Sequence, residues 1–266
     1  MPTLAIDGLE FYYEVYGEGF PVVCVHGLGG NHASWYQQVP AFAQAYMAIT
    51  FDQRGFGNSR DVHDGPGRSR FVEDLSALLD HLDIPRAVLV GQSLGGGTCT
   101  GFTVKYPARV AALVLADTVL GLTLPPALQR LREDAMRAAE ALPQLERVLG
   151  ATFRRREPTL CFLYSQLASF NTVTRATLRG SFDPSPIEDL AATGVPTLFI
   201  AGSEDIMFPP DVIAEVARLV PGSRYVEVPE AGHSAYFESP SVFNAAVLRF
   251  LEGVGIPSRL RPAVAW

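Results

Sequence analysis

Short apolar runs alternate with amphipathic stretches along most of the chain, a pattern that predicts strands and helices in turn. Residues 3–16 alternate between apolar and polar side chains on both sides of Asp7-Gly8, which predicts an antiparallel hairpin. Six further runs are typical of buried strands: 21–26, 46–51, 87–92, 110–116, 197–201 and 224–228. Five helices are predicted between and after them: 32–44 (with Asn31 as its cap), 69–82, 96–106, 210–219 and 242–252. Alternating buried strands and helices require a mostly parallel sheet with helices on both faces.

This rhythm is interrupted between Val119 and Val195. The stretch has no buried-strand run, is broken by prolines and predicts three short helices: 128–141, 160–170 and 172–178. We interpret residues 119–188 as a helical cap that lies over the carboxyl edge of the sheet. The core then comprises residues 1–118 and 189–254, and residues 255–266, which show no periodicity, are expected to form a loose C-terminal tail.

Composition narrows the classes of function. The net charge of −7 argues against a nucleic-acid partner, and no apolar stretch is long enough to cross a membrane. The three cysteines are far apart and show no metal-binding or redox spacing. The N-terminal residues do not have the pattern of a signal peptide. We therefore expect a cytoplasmic protein that acts on a small molecule without metal or cofactor; the pattern does not indicate an oligomeric state.

A candidate nucleophile lies where the buried run 87–92 meets the next helix, in the sequence Gly91-Gln-Ser-Leu-Gly95. A sharp strand-to-helix turn strains its central residue, and the two glycines remove the Cβ atoms that would collide there. The turn exposes the Ser93 hydroxyl at a helix N-terminus, where N–H groups and the helix dipole favour developing negative charge. The same five residues also occur in ordinary glycine-rich turns, so Ser93 needs catalytic partners elsewhere in the chain.

A serine nucleophile requires a base and a carboxylate that orients the base. Of the five histidines, only His233 lies in a loop directly after a late strand, where it can meet Ser93 at the carboxyl edge of the sheet. Asp205, in the loop after the preceding strand, is the candidate orienting acid. Asp117 follows strand 110–116 at the same edge and remains the alternative acid; otherwise it caps the turn into the insertion.

Two loops are predicted to supply donors to an oxyanion. The Leu94 amide follows the candidate nucleophile, and the Leu28 amide lies in the glycine-rich loop 26–30 after an early strand. A nucleotide-binding interpretation of this loop fails, because it lacks the third glycine of the dinucleotide motif and the chain has no Gly-Lys-Ser/Thr.

Together these motifs resemble the α/β-hydrolase fold superfamily, and within it small bacterial esterases and 3-oxoadipate enol-lactonases. The resemblance covers residues 3–252 and rests on His26-Gly-Leu-Gly-Gly30, Asp52-x-Arg-Gly-x-Gly-x-Ser59, Gly91-Gln-Ser-Leu-Gly-Gly96, Gly202-x-x-Asp205 and Gly232-His233. The chain order serine, aspartate, histidine is that of these enzymes. The resemblance implies an α/β fold with an eight-stranded, mostly parallel sheet, helices on both faces and a helical cap inserted after the sixth strand.

The predicted function is hydrolysis of a small to medium apolar or aromatic carboxylic ester or lactone through an acyl-enzyme at Ser93. Ser234 stands where carbon–carbon hydrolases of the meta-cleavage type carry tryptophan, and haloalkane dehalogenases and epoxide hydrolases have aspartate in place of Ser93. Asp52 and Arg54 are interpreted as scaffold. Two alternatives stay open. One is another enzyme on the same triad: a carbon–carbon bond hydrolase, a perhydrolase or a cofactor-independent enzyme acting on an aromatic ring. The other is a receptor with slow turnover.

Apolar and aromatic residues of the loops and the cap are candidates for the substrate pocket, although many such residues belong to the core in other proteins. Besides Leu28 and Leu94, they are Trp35, Leu120, Phe153, Phe162, Tyr164, Phe170, Met207, Phe208 and Tyr236. Arg154-Arg-Arg156 is either a group that binds a substrate carboxylate or, as we favour, a solvated helix face.

Overall fold

The computed structural model describes residues 2–259. Its strands are β1 (Thr3–Ile6), β2 (Leu9–Tyr16), β3 (Pro21–Val25), β4 (Met47–Phe51), β5 (Ala87–Gln92), β6 (Val110–Ala116), β7 (Leu122–Thr123), β8 (Ser185–Pro186), β9 (Thr197–Gly202) and β10 (Arg224–Val228). Eight of them form one sheet in the order β1-β2-β4-β3-β5-β6-β9-β10, and β7 pairs with β8. The predicted eight-stranded sheet is confirmed.

The strands of this sheet are mostly parallel. Antiparallel pairing is limited to β1 with β2 and β2 with β4, and the remaining pairs of the sheet are parallel. The β1–β2 turn uses Asp7 and Gly8, both with positive φ (48° and 79°), as expected for a tight hairpin. Because the carboxyl ends of parallel strands meet at one edge, the loops after β5, β6, β9 and β10 come together there.

Helices cover both faces of the sheet, as predicted. They are α1 (Val39–Phe42), α2 (Phe71–His81), α3 (Leu94–Lys105), α4 (Pro126–Glu140), α5 (Gln144–Val148), α6 (Ala151–Arg156), α7 (Pro158–Ser169), α8 (Ile187–Ala192), α9 (Pro210–Leu219), α10 (Ala235–Glu238) and α11 (Pro240–Gly253). One apolar cluster packs α2, α3 and α9 against the sheet, and a second packs α1 and α11 against it. Burial of these two apolar layers is the main force that holds the fold together.

The helices α4–α7 lie between β6 and β9 in the chain, so the cap is inserted after the sixth strand, as predicted. Asn171, which follows α7, donates hydrogen bonds of 2.8 and 3.1 Å to the carbonyl oxygens of Gly29 and Gly30 in the core. The division into core and cap at residues 118 and 188 stays a prediction. In the predicted tail, Ile256 packs in the second apolar cluster, and residues 260–266 lie outside the described residues.

The helix predicted over residues 32–44 is wrong. Asn31 does act as a cap, but it caps a 3-10 turn at His32–Trp35, which is followed by the separate helix α1. Pro40 lies in the first turn of α1, where its missing N–H is tolerated; within a continuous helix it would remove a backbone hydrogen bond.

The helix predicted over residues 172–178 is also wrong, because this stretch forms a loop with a turn. The Thr174 amide donates a 2.8 Å hydrogen bond to Thr177 Oγ1, so a side chain competes with the helical backbone pattern. Four helices were not predicted: α5, α6, α8 and α10. Each has six residues or fewer, too few to show a periodic pattern.

Candidate active site

Ser93 lies at the junction of β5 and α3 in a strained backbone conformation, with φ 48° and ψ −116°. A Cβ on Gly91 would lie 2.7 Å from Cys99 Sγ, and a Cβ on Gly95 would lie 2.1 Å from the Val25 carbonyl oxygen. Only glycine fits at either position, so the packing of the turn requires the Gly-x-Ser-x-Gly sequence. The turn brings the Ser93 hydroxyl to the carboxyl edge of the sheet.

The side chains of Ser93, His233 and Asp205 form a hydrogen-bonded series at this edge. Ser93 Oγ lies 2.8 Å from His233 Nε2, and His233 Nδ1 lies 2.8 Å from Asp205 Oδ2. A carboxylate only accepts hydrogen bonds, so Nδ1 carries the hydrogen and Nε2 of the neutral ring accepts the serine proton. This is the arrangement of a nucleophile, a base and an orienting acid.

The loops hold this series in place. Asp205 Oδ1 accepts hydrogen bonds from the amides of Met207 and Phe208, at 2.8 and 3.0 Å. The Phe208 ring stacks on the His233 imidazole, with ring centroids 5.3 Å apart and an interplanar angle of 16°. The acid and the base therefore each have a second contact that fixes their orientation.

The environment of His233 stabilises its protonated form. Burial by itself lowers the pKa of the imidazole, but the charge of Asp205 and the hydrogen bond to it outweigh burial, and the pKa is raised above its ordinary value of 6.5. Asp205 thus favours the imidazolium form of His233.

Asp117, the alternative acid, lies behind the series and does not contact the imidazole. Its Oδ1 accepts the Gly202 amide at 2.8 Å and its Oδ2 accepts the Ala235 amide at 3.1 Å. Burial and the neighbouring charge of Asp205 raise its pKa. The structure places Asp205 next to His233, while Asp117 joins the loop after β9 to the loop after β10.

Glu238 is a second buried carboxyl group beside the site, and the sequence pattern did not indicate it. Its Oε1 accepts the amides of Gly232 and Ser234, at 2.9 and 3.2 Å, and its Oε2 accepts the Gly150 amide at 2.7 Å. Burial raises the pKa of Glu238 to about 7. This carboxyl group links both sides of His233 to the cap.

The two loops predicted to supply oxyanion donors lie beside Ser93. A Cβ on Gly27 would lie only 3.1 Å from Ser93 Cβ, so the backbone leading to Leu28 passes close to the nucleophile. Leu28 and Leu94 line the same cavity as Ser93 and His233. That their amides donate to an oxyanion stays a prediction.

A cavity of about 1030 Å³ lies between the carboxyl edge of the sheet and the cap, and Ser93 and His233 are in its wall. Its volume is at the upper end of the range for small-molecule sites. Six of the predicted pocket residues line it: Leu28, Leu94, Leu120, Tyr164, Met207 and Phe208.

A family model described as the alpha/beta hydrolase fold matches residues 21–240. The chain belongs to the α/β-hydrolase family. It is similar to a thermophilic esterase from Thermogutta terrifontis, with 29% identity over 95% of this chain and 97% of that chain and a TM-score of 0.79. It is also similar to a bromoperoxidase from Bacillus anthracis, with 27% identity, coverage of 92% and 96%, and a TM-score of 0.76. The 3-oxoadipate enol-lactonase 2 of Acinetobacter baylyi is 29% identical over 92% of this chain and 94% of its own length. The resemblance inferred from the motifs is thus confirmed.

Five residues predicted to line the pocket of this hydrolase lie away from the cavity: Trp35, Phe153, Phe162, Phe170 and Tyr236. Trp35 and Tyr236 pack against each other in the core, with ring centroids 4.8 Å apart, and Phe153 is buried in the same apolar cluster. Phe162 and Phe170 are 65% and 67% exposed. Aromatic composition alone does not tell which face of a loop or helix lies toward a cavity.

Charged residues in the cavity wall of the hydrolase were not predicted either: Arg68, Arg132, Glu133, Arg137, Glu140, Arg147 and Arg175. Four of them lie on α4, whose polar face has the spacing of a solvated helix. Arg132 and Glu133 are half-buried there, whereas the side chains of Arg137 and Glu140 are 68% and 64% exposed. Spacing along one helix cannot show this.

The three arginines that the sequence singled out, Arg154 to Arg156, are absent from this cavity wall. Arg156 forms an ion pair with Glu230 at 2.9 Å, and Arg154 donates to the Leu149 carbonyl oxygen at 3.2 Å. These contacts lie at the surface of the protein, as expected for a solvated helix face.

The Asp52–Ser59 loop of the hydrolase has structural contacts. Asp52 accepts hydrogen bonds from the amides of His32 and Asn58, at 2.6 and 2.8 Å. Arg54 is buried and donates to Asp74 at 2.8 and 2.6 Å. Among residues 2–259, no group of three or more histidine, cysteine or acidic side chains is arranged to hold a metal ion. Within the same range, no helix has the length and apolar character to span a bilayer.

Proposed function

We propose that this hydrolase cleaves a small to medium, apolar or aromatic carboxylic ester or lactone through an acyl-enzyme at Ser93. The observation that carries the proposal is the series Ser93–His233–Asp205, with its two 2.8 Å contacts, in the wall of a cavity large enough for a substrate. The apolar side chains of Leu120 and Met207 in the same wall favour an apolar substrate portion. Similarity to an esterase and to an enol-lactonase supports the same class of bond.

The reaction begins when Ser93 Oγ attacks the substrate carbonyl carbon while His233 Nε2 takes the serine proton. The amides of Leu28 and Leu94 donate to the oxyanion that forms. His233 then gives its proton to the leaving oxygen, which departs as an alcohol and leaves an acyl group on Ser93. In the second half, His233 takes a proton from water, the hydroxide attacks the acyl group, and the carboxylic acid leaves as Ser93 regains its proton.

A serine-directed fluorophosphonate tests the nucleophile directly. We expect one label per chain, mapped by peptide mass spectrometry to Ser93 and not to Ser165 or Ser169, which line the same cavity. A panel of aryl esters, lactones and ring-cleavage dienoates then identifies the bond that is cleaved. Ser93→Ala should lower the turnover by at least ~10⁴-fold. Labelling of another residue, or ester hydrolysis that survives in Ser93→Ala, contradicts the proposal.

Perhydrolysis is a second candidate, favoured by the similarity to a bromoperoxidase. On the same residues, hydrogen peroxide would replace water and attack the acyl-enzyme, giving a peroxy acid and free Ser93. The test is peroxy-acid formation from an ester and hydrogen peroxide. A ratio of peroxy acid to carboxylic acid that does not rise with peroxide concentration excludes this reaction.

We further propose that the site binds only a small molecule and that the protein acts in the cytoplasm. The acidic net charge supports the lack of a nucleic-acid partner, because such a partner requires a basic face.

A further inference from the structure

Two arginines in the cavity wall have Nε–H groups without an acceptor. Arg132 lies on α4 and Arg147 on α5, and both line the cavity that contains Ser93. The Nε atom of each is shielded from solvent and, within residues 2–259, has no hydrogen-bond partner. Neither guanidinium forms an ion pair with a carboxylate in this part of the chain. The two outer nitrogens of each guanidinium are not shielded in this way, so a ligand in the cavity can bind through them.

Other arginines of this protein are paired when they lie in the interior or in the same wall. Arg54, 1% exposed, donates to Asp74 through two nitrogens and to Asp61 through the third. In the cavity wall, Arg137 and Arg175 form ion pairs with carboxylates. Arg132 and Arg147 differ from these arginines because, within residues 2–259, their guanidinium groups have no acceptor at all.

The charge of this wall favours an anionic ligand. Burial lowers the pKa of Arg132, and the charge of Glu133 offsets part of that effect. Glu133 lies in the same wall, but so does Arg68, which donates to the Gly180 carbonyl oxygen; the arginines without a carboxylate partner therefore outnumber the unpaired carboxylate and leave this wall positively charged. A planar guanidinium pairs well with a carboxylate, which carries one negative charge and accepts two parallel hydrogen bonds.

We propose that Arg132 and Arg147 form a subsite that binds a carboxylate group of the substrate. This subsite rests on the proposed function of Ser93 and specifies its substrate class: a carboxylic ester or lactone that bears a second, ionised carboxyl group. The apolar wall contacts the part of the substrate between the two groups, while the arginines hold the charged end away from Ser93. Such binding positions the reacting carbonyl by a contact remote from the chemistry.

The test compares matched substrates that differ in one carboxylate. One pair places it on the acyl side, mono-4-nitrophenyl glutarate against 4-nitrophenyl pentanoate. The other places it on the leaving group, 4-carboxyphenyl butyrate against phenyl butyrate. We expect the wild type to have a higher kcat/KM for the charged member in at least one pair. Arg132→Gln and Arg147→Gln should each reduce that preference at least ~10-fold, as expected for the loss of a charged hydrogen bond.

Arg130→Gln is the matched control, because Arg130 is exposed on the same helix and lies outside the cavity wall. It should keep both the wild-type activity and the preference. The preference is a ratio measured on one sample, so a variant that folds incompletely does not change it. A wild type with no preference in either pair, or a preference that Arg132→Gln and Arg147→Gln leave as in Arg130→Gln, overturns the subsite.

A binding measurement separates this subsite from the proposed function. Monomethyl glutarate is titrated into Ser93→Ala, and into Ser93→Ala combined with Arg132→Gln, by calorimetry. Binding that is lost in the double variant supports the subsite even if the wild type hydrolyses no ester of the panel, in which case only the proposed function fails. Equal binding by both proteins contradicts the subsite, and so does the absence of binding together with the absence of a substrate preference. In either case, hydrolysis of an ester of the panel would still support the proposed function of Ser93.

Discussion

Gln92 Nε2 donates a hydrogen bond of 2.7 Å to the carbonyl oxygen of His233, so the residue before the nucleophile holds the backbone of the base. The two residues are 141 positions apart in the chain and meet because β5 and β10 end at the same edge of the sheet. Gln92 is buried, and its carboxamide is the group that spans the gap between the two loops. The alignment of His233 with Ser93 thus depends on a residue within the Gly-x-Ser-x-Gly turn itself.

Gln92→Met is expected to lower kcat by about 10-fold or more, with a smaller change in KM. Methionine has a similar volume but no donor, so the His233 loop loses a contact that fixes the imidazole, and a base displaced by a fraction of an ångström transfers a proton less efficiently. Steady-state kinetics on one aryl ester checks this. Gln44→Met, at an exposed position, is the control and should retain wild-type kinetics. A wild-type kcat in Gln92→Met would show that the hydrogen bond does not align the base.

The sequence predicted the parts of the fold that depend on local chemistry. Strand 110–116 was predicted with its observed bounds. A continuous apolar run between turn residues is typical of a strand that is buried on both faces of a parallel sheet. Asp7-Gly8 likewise predicted its hairpin, since both positions adopt positive φ. The positions of Ser93, Asp205 and His233 followed from one rule: in a parallel sheet, residues after different strands converge at the carboxyl edge.

The cavity wall could not be predicted in the same way. Whether Phe153 or Tyr164 faces the cavity depends on how the cap helices pack, and both residues look alike in the sequence. The arginines of α4 have the spacing of a solvated helix face, and the packing of the helix decides that Arg132 is half-buried in the cavity wall while Arg130 is exposed. The contacts of Glu238 with three amides are long-range and leave no periodic pattern.

Gly27→Ala is expected to lower kcat/KM by about 10²-fold. The new Cβ would lie 2.0 Å from Gln92 Oε1, so the carboxamide must move and its bond to His233 is disturbed, while the adjoining Leu28 amide shifts away from the oxyanion position. The measurement is kinetics on the same ester, with the unfolding midpoint as a check of folding. Gly101→Ala in α3 is the control, since its Cβ would meet a single side-chain atom, Val72 Cγ2, at 3.0 Å and no atom of the site. Normal activity in Gly27→Ala would place the oxyanion donors elsewhere.

The pH dependence of kcat/KM should show a rising limb with an apparent pKa above 6.5. His233 acts as a base only when it is deprotonated, and the net effect of its surroundings, in which Asp205 outweighs burial, raises its pKa. Asp205→Asn removes that charge, so the limb should move to lower pH and kcat should fall by ~10⁴-fold. A pH–rate profile of wild type and variant on one ester checks both effects. A limb that does not move in the variant would mean that it belongs to another group.

The contribution of Glu238 to the stability of the protein should decrease as the pH rises from about 4.5 to 7. Burial raises the pKa of Glu238 from 4.5 to about 7, so between these values the folded state binds a proton that the unfolded state has released. The contribution of Glu238 to the free energy of unfolding is then greatest below pH 4.5 and falls until the folded carboxyl group has ionised. Asp117 and His233, whose pKa values are also raised, act in the same direction.

Glu238→Gln isolates the contribution of this carboxyl group, because glutamine stays neutral over the whole range. The variant is destabilised at every pH, since its amide has one acceptor for the three backbone N–H groups that Glu238 binds. The difference from the wild type should nevertheless shrink between pH 4.5 and 7.5, by on the order of 3 kcal/mol, because only the wild type must ionise a buried group. Urea unfolding at a series of pH values measures it, with Glu188→Gln at an exposed position as the comparison. A difference that grows with pH would mean that the three N–H donors outweigh burial and hold Glu238 ionised in the folded state.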